Sequence, residues 1–475
     1  MTSNLASLLV DHPFADEDAL LHSVDESVTA GEARRAAREI ADRLRASGVT
    51  PGHAVAVQLP NSPAVVTTMA GIWLAGGVFV PVNPRHPAAE VDRVLELTEP
   101  AAIIRTEGTE VRPTTRTYDP ATAFVLWTSG TTGAPKAILH THEAYLELLD
   151  RVLGPLRSGP ADPSKRPMPN LVPVSLALNA GLYNTLFGLR AGAAVVIMDR
   201  FETDTFAELV QRFEIRSTVL PPAAITALND DPDILDLTPL KYVRSITAPL
   251  SPLQARRFTD KFGAFVLNSY GQAEIGEVIG WTAADAKTHP EKVGAVGRPH
   301  PGVDLKIVGE HGDELDEGSV GVLYVRPPQM AAGYASGDRL DDRVDRDGFI
   351  NTGDVARIDA EHFVWIEGRV GDLINRGGNK VFPGDVEEVL RLAPEVTDAA
   401  VVGVPDERLG EVPVAFVAGS PIAPAALEAL CREHLVAYKV PVAFHHVEHL
   451  PRSEIGKVQR SELAALHRTR TDELA

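Results

Sequence analysis

One cysteine, Cys431, occurs in 475 residues. An internal disulfide is therefore excluded, as is a metal site built from several thiolates of one chain. Cys431 lies in ALEALCREHL, whose spacing reads as a helix, so it is expected to be a small core residue rather than a nucleophile. Basic side chains are scarce as well: 45 Lys and Arg face 65 Asp and Glu, a formal charge of -20. That balance favours solubility and disfavours general affinity for nucleic acid or anionic membrane. An anionic ligand would need a local site of backbone donors and a few cations. Long apolar runs are missing too, and stretches such as Gly192–Met198 are far too short to span a bilayer. The start, MTSNLASLLVDHPFADEDALL, lacks the basic opening and long apolar stretch of a signal peptide, so a cytoplasmic location is expected.

What is present is the composition of a globular protein, 44% hydrophobic and 23% charged, in a chain long enough for two or more compact units. Gly31–Gly48 has amphipathic helical spacing, HAVAVQLP reads as a buried strand, Asn61–Gly76 as a helix and GGVFVPVNP as a strand. This alternation continues to about residue 270 and predicts an α/β fold with largely parallel sheet. From Gly294 to Asp359 the pattern changes to short strand-like runs (VDLKIV, GVLYVR, FINTGD, VARID) between Gly and Asp turns, as in an antiparallel meander or small barrel. Beyond GRVGD the tail mixes helices (Gly384–Leu392, Pro424–Leu435) with strands (VTDAAVVGVPD, VPVAFVAG), as a small α+β domain would. The expected division is residues 1–371, a large domain of sheets flanked by helices with a barrel-like part, and residues 372–475, a small α+β domain.

The strongest local signal follows the apolar run Phe124–Leu126. In WTSGTTGAPKAILHTH, six of the eight residues from Thr128 to Pro135 are Thr, Ser or Gly, and Lys136 follows. Glycines let the main chain turn so that successive N–H groups converge on an anion. Thr128, Ser129, Thr131 and Thr132 add hydroxyls, and Lys136 adds a mobile cation, a combination suited to polyphosphate. It is not a G-x-x-x-x-G-K-S/T loop, because Ala134 and Pro135 separate Gly133 from the lysine. A shorter Ser/Thr/Gly string would be an ordinary surface turn.

With these residues in view, the sequence resembles the AMP-forming acyl-CoA synthetases, peptide-synthetase adenylation domains and beetle luciferases. The resemblance spans nearly the whole chain. ASGVTPGHAVAVQLPNSP and AGGVFVPVNPRHP resemble the family's N-terminal stretch, WTSGTTGAPK its phosphate loop, SYGQAE its adenine and metal motif, and NTGD its ribose motif. GRVGDLINRGGNKVFPGDVE resembles the hinge segment and LPRSEIGKVQR the terminal lysine motif. One match would say little, but these occur in the family's order.

The resemblance implies ATP, Mg2+ and CoA as cofactors and assigns roles residue by residue. Thr128, Ser129, Gly130, Thr131, Thr132, Gly133 and Lys136 would hold phosphates, with Thr131 counted among the catalytic groups. Lys457 would bridge the substrate carboxylate and the α-phosphate, supplying positive charge where two anions meet. Alone, a lysine after glycine near a C-terminus is an ordinary solvated charge. Tyr270, Gly271 and Gln272 would line the adenine, and Glu274 would ligate Mg2+ as a hard oxygen donor. The family commonly has Thr where this chain has Ala273, so a hydroxyl donor is missing there. Asp354 would accept from both ribose hydroxyls, Arg369 would make a second ribose or phosphate contact, and Asp372 would be the hinge of a mobile C-terminal domain, preceded here by Gly371 rather than the usual Lys. Gly377, Gly378 and Asn379 would line the pantetheine passage, although a glycine turn between two strands explains them equally well.

By the same resemblance the acyl pocket draws on Pro173–Asn184, Ser245–Leu250 and Gln272–Gly280, with Leu176, Asn179, Ala180, Thr247 and Ala248 as lining residues. PVSLALNAGLYN is mostly apolar and has neither the aromatic–His pair common in acyl-CoA synthetases nor the Asp that pairs with an amino acid's ammonium. A buried, unpaired ammonium is costly, so an apolar fatty or aryl acid is expected. SITAPL replaces the usual Gly-Gly-Ala-Pro, with Ile246 and Thr247 bulkier than glycine. His140 and His142 are read as packing or capping residues as readily as ligand contacts. The acceptor would be CoA or the pantetheine arm of a carrier protein. A nucleotide-binding relative with impaired chemistry is the alternative that Ala273 and SITAPL raise.

Overall fold

The computed structural model describes residues 4–128, 136–156, 166–337, 340–452 and 457–472. By their mutual contacts the residues group into two compact units. One comprises Met1–Asp304 with Arg326–Gly348, the other Leu305–Val325 with Phe349–Ala475.

Among its described residues the first unit holds three sheets. A seven-stranded sheet has the order Gly333–Tyr334, Lys136–Thr141, Thr122–Thr128, Val78–Pro81, Ala54–Gln58, Ala102–Arg105, Gly108–Val111. Its four middle strands, from Thr122–Thr128 to Ala102–Arg105, run parallel, and its edges are antiparallel. Val78–Pro81 is buried along its whole length, which is why it reads as a continuous apolar run without alternation. A five-stranded sheet orders Ser217–Leu220, Tyr242–Ser245 and Phe265–Gln272 in parallel, then Gly276–Gly280 and Arg298–Pro299 antiparallel. A four-stranded sheet joins Ser27–Thr29, Ala19–His22, Val195–Ile197 and Asn170–Val172.

Helix chemistry separates surface from interior. Ala30–Ala46 begins with a capping box, in which the Thr29 hydroxyl accepts from Glu32 N–H and the Glu32 carboxylate accepts from Thr29 N–H. Its apolar stripe is narrow, and the remaining faces carry Arg and Glu. Pro63–Leu74, by contrast, buries ten of its twelve residues, and Asn179–Arg190 buries nine of twelve. Helices apolar on all sides belong between layers, and these two pack in the main core with Trp73, Phe79, Phe124 and Tyr145.

The second unit combines a four-stranded sheet, ordered Asp304–Val308, Gly321–Arg326, Ile350–Ile358, Val364–Arg369, with the α+β tail. FINTGD and VARID, expected as separate strands, form the single strand Ile350–Ile358. Gly353, at φ 73°, absorbs a bulge opposite Val322–Tyr324 without ending the pairing. In the tail, Val396–Asp406 and Gly410–Gly419 form a long antiparallel pair, flanked by Ile374–Arg376 and, in parallel, Ala443–His446. Val401, Ala415 and Val417 enter one apolar cluster with Cys431, while Val402, Val414 and Phe416 enter another with Leu450 and Leu463. Both faces of this sheet are covered. Cys431 is buried in the helix Pro424–His434, and burial raises its thiol to about 11, as expected of a core residue.

Candidate active site

In open α/β sheets, ligands gather where parallel strands end at their carboxyl termini. In the five-stranded sheet two neighbouring strands, Tyr242–Ser245 and Phe265–Gln272, run in register with Ser245 opposite Asn268. SITAPL leaves the first, and YGQAE closes the second into a hairpin with Gly276–Gly280. Sequence-distant motifs thus reach one edge.

At the hairpin turn, Glu274 is almost wholly buried. Its Oε1 accepts from the Tyr334 hydroxyl at 3.1 Å and from Arg343 Nη1 at 2.9 Å. Arg343 Nη2 also donates to Gln272 Oε1 at 3.1 Å, and Gln272 Nε2 donates to the Tyr270 hydroxyl at 3.3 Å. One arginine thereby orders three of the residues singled out in YGQAE. Gly271 is required by the hairpin itself, since a Cβ there would stand 2.1 Å from the Gly276 carbonyl oxygen. Arg343 and Tyr334 carried no sequence signal; they lie 69 and 60 positions from Glu274.

The phosphate-loop residues Ser129, Gly130, Thr131, Thr132 and Gly133 lie outside the described residues, as does the side chain of Thr128. Their flanks are fixed: Thr122–Thr128 and Lys136–Thr141 pair antiparallel with Thr128 opposite Lys136. Lys136 is exposed, with its ammonium 5.2 Å from the centre of the Tyr334 ring. Beyond it His140 and His142 are buried, and burial lowers them to about 3 and about 4. His140 packs on Phe124 with ring centres 4.9 Å apart, and His142 Nδ1 accepts from Leu5 N–H, so both serve packing.

Among the acyl-pocket residues, Leu176 and Ala180 are buried. Asn61 accepts from Leu176 N–H at 2.9 Å and donates to the Val174 carbonyl, holding that segment in place. Asn179 accepts from the Tyr145 hydroxyl at 3.0 Å. Thr247, followed by the partly buried Ala248, has φ 81°, a left-handed conformation that strains a β-branched residue. The Thr247 Oγ1 and Ser245 Oγ atoms are buried without a hydrogen-bond partner among the described residues.

These segments also carry a charged cluster that sequence reasoning did not find. Glu277 Oε1 accepts from Arg244 Nη1 at 2.6 Å and lies 3.0 Å from His300 Nε2, while Oε2 accepts from the Tyr183 hydroxyl at 3.3 Å. Burial alone would raise Glu277, but Arg244 and His300 outweigh it and hold the carboxyl at about 2. Arg151 Nη2 donates to the Ile275 carbonyl at 3.2 Å. Its Nη1 is 3.3 Å from Glu147 Oε2, in ion-pair range yet misaligned, so neither atom has a hydrogen bond among the described residues.

In the second unit, Asp354 and Arg369 face each other across Ile350–Ile358 and Val364–Arg369, with Arg369 Nε donating to Asp354 Oδ1 at 2.7 Å. Asp372 ends a short turn and lies 3.6 Å from Arg460, whose Nη1 donates to Glu387 at 2.6 Å. Gly377 and Gly378, at φ 58° and 88°, form a two-residue connection between Ile374–Arg376 and Asn379–Val381. Positive φ at both positions suits a hairpin of this length, so the local fold alone accounts for the glycines. Lys457 is half-buried beside Val458, which bridges to Arg452.

The donor set suits the implied ligands. Glu274 Oε2 has no hydrogen bond among the described residues, and no cluster of three or more metal-ligating side chains occurs among them. A single carboxylate oxygen is what Mg2+ takes when phosphates and water supply the rest of its shell. The orphaned hydroxyls of Ser245 and Thr247 lie at the same carboxyl edge, where a polar ligand would meet them.

Fold and site define an α/β nucleotide-using enzyme with a large N-terminal and a small C-terminal domain. The AMP-binding enzyme model matches residues 11–121 and 107–335, and the AMP-binding enzyme C-terminal domain model matches 385–457. A 4-coumarate–CoA ligase-like protein of Oryza sativa is 30% identical over 95% of this chain and 90% of its own length. Sulfoacetate–CoA ligase of Cupriavidus necator is 30% identical, covering 88% of each. The crystal structure of ATP-bound MatB from Rhodopseudomonas palustris superposes with a TM-score of 0.87 at 25% identity, over 98% of this chain and 99% of that one. The chain belongs to the AMP-binding enzyme family. Its chemistry is that of an AMP-forming acid–thiol ligase, which uses ATP, Mg2+ and CoA. No helix among the described residues is long and apolar enough to cross a membrane.

Proposed function

We propose that this ligase activates a carboxylic acid with a largely apolar, fatty or aryl body and passes the acyl group to CoA in the cytoplasm. The observation that carries the reading is Glu274, held by Tyr334 and Arg343 at the carboxyl edge through Oε1, with no hydrogen bond on Oε2 among the described residues. In the first step a carboxylate oxygen bonds to the α-phosphorus of ATP and the bond to pyrophosphate breaks. Lys457 and the 128–136 loop, Thr131 included, offset the negative charge gathered there. Mg2+ on Glu274 would screen the phosphate oxygens. Asp354 and Arg369 position the ribose, and Tyr270, Gly271 and Gln272 border the base. In the second step the CoA sulfur bonds to the acyl carbon, AMP leaves and the thiol proton passes to solvent. Asp372 is the hinge between residues 1–371 and the mobile 372–475 domain, and Gly377, Gly378 and Asn379 border the pantetheine passage. Leu176, Asn179, Ala180, Thr247 and Ala248 line the acyl pocket.

The test is acid-dependent pyrophosphate release over a panel of fatty and aryl acids, followed by trapping with CoA or with a holo carrier protein. Release with CoA trapping is expected. A chain that releases pyrophosphate with no acid defeats the reading, and trapping by carrier protein alone replaces the acceptor. Asp372→Pro should slow thioester formation more than adenylation, and equal loss of both steps removes the hinge assignment.

A further inference from the structure

We propose that Tyr334 is a positioning residue for adenylation: its hydroxyl steadies the carboxylate of Glu274, and its ring steadies the ammonium of Lys136. The proposal rests on the roles given above to Glu274 and Lys136, and it adds the side chain that ties the two together.

Strand geometry sets the tyrosine between them. Gly333–Tyr334 forms the edge strand beside Lys136–Thr141, with Tyr334 opposite Ile138. Ala332 N–H and Ala335 N–H donate to the Leu139 and Ala137 carbonyls, both at 2.8 Å, so the register is fixed on either side of the tyrosine. Lys136 lies two residues from Ile138 and shares its face of the sheet, which brings the ammonium to 5.2 Å from the ring centre. Just before this strand, Ala331 N–H donates to the Glu274 carbonyl at 2.8 Å. The segment 331–335 therefore ties the strand leaving the phosphate loop to the hairpin that carries Glu274, and Tyr334 is its buried centre.

The two ends of the side chain act differently. A phenol is protonated at neutral pH and donates to the carboxylate, and this bond and the one from Arg343 both fall on Oε1. Two donors on one oxygen fix the rotation of the carboxyl group and leave Oε2, which has no hydrogen bond among the described residues, for Mg2+. The phenol is neutral, so it does this without cancelling the charge that attracts the metal. At the other end, an ammonium within about 6 Å of a ring centre is drawn to the ring face. A lysine confined in this way gives up less side-chain freedom when a phosphate captures it. Metal carboxylate and phosphate cation are thereby set by one residue.

The experiment measures ATP binding to the full-length protein by calorimetry, once with Mg2+ and once in EDTA. Tyr334→Phe keeps the ring and its packing and removes only the hydroxyl. It should leave the affinity in EDTA near the native value and reduce the tightening by Mg2+ about tenfold, the scale of one hydrogen bond to a charged group. Tyr334→Leu should in addition weaken binding in EDTA by about two- to fivefold, the worth of an exposed cation–π contact. Beside Glu274→Gln, Tyr334→Phe should change the Mg2+ response no further, because the hydroxyl acts through that carboxylate. A tyrosine that merely fills space would lower the urea midpoint and leave both ratios alone. An undiminished Mg2+ response in Tyr334→Phe, a loss that persists beside Glu274→Gln, or an unchanged EDTA affinity in a folded Tyr334→Leu overturns the proposal. The phenylalanine variant decides alone if the leucine variant does not fold. A native chain that binds ATP no more tightly with Mg2+ than in EDTA removes the metal role of Glu274 itself, and this inference with it.

Discussion

Glu274 and Glu277 stand three residues apart on one hairpin, both almost wholly buried and both paired with an arginine. Glu274, at the turn, spends one oxygen on Tyr334 and Arg343 and has no hydrogen bond on the other among the described residues. Glu277, in the return strand, has both oxygens engaged and is held at about 2. A carboxylate engaged at both oxygens fixes its surroundings, while one with an unengaged oxygen can take a metal ion. The difference lies in partners that neighbouring letters of sequence do not reveal.

The largest effect should come from Glu277→Ala, which strands Arg244 in the interior. Breaking a buried pair of this kind costs about 3–5 kcal/mol, read as a lower midpoint in urea. Lys457→Ala should do the reverse, lowering adenylation on the order of a hundredfold to a thousandfold with an unchanged urea midpoint. Glu274→Gln should fall between them, losing rate and Mg2+ dependence with a stability change of about 1–2 kcal/mol. If Glu274→Gln unfolds the protein as readily as Glu277→Ala does, the contrast between the two carboxylates disappears.

Acid sharpens the same contrast. Because the folded-state value of Glu277 lies below its ordinary 4.5, its contribution is complete above about pH 4.5 and is lost as pH falls toward about 2. Urea midpoints measured across that window should fall for the native chain and fall less steeply for Glu277→Gln. The smallest effect is a gain: Thr247→Gly should relieve the left-handed backbone and add about 1 kcal/mol of stability. Thermal unfolding would show it, and an unchanged melting temperature would mean that the loop carries no strain there.

Much of the scaffold was legible because local chemistry determines it. The helix Ala30–Ala46 announces itself through spacing and the Thr29–Glu32 cap, and the strand Val396–Asp406 through an apolar run covered on both faces. NTGD misled at one point, because Gly353 and Asp354 resemble a turn although the strand continues through a bulge. The motifs YGQAE and NTGD drew attention to Glu274 and Asp354, and Arg369, which pairs with Asp354, was singled out too, but nothing pointed to the arginine that holds Glu274. Arg343 lies 69 positions from Glu274, and Glu277 gathers partners 33, 23 and 94 positions away. Long-range ion pairs leave no periodicity to read. The cluster of Arg244, Glu277 and His300 therefore had no counterpart in the sequence reading.

Arg460 binds Glu387 through Nη1 and lies within 3.6 Å of Asp372, and it opens the helix Arg460–Asp472 only three positions after Lys457. With Asp372 as the proposed hinge, that guanidinium would couple the segment bearing Lys457 to the pivot, and a turn made there would carry the ammonium with it. Cutting the Arg460 link would leave the lever arm intact and let it slip.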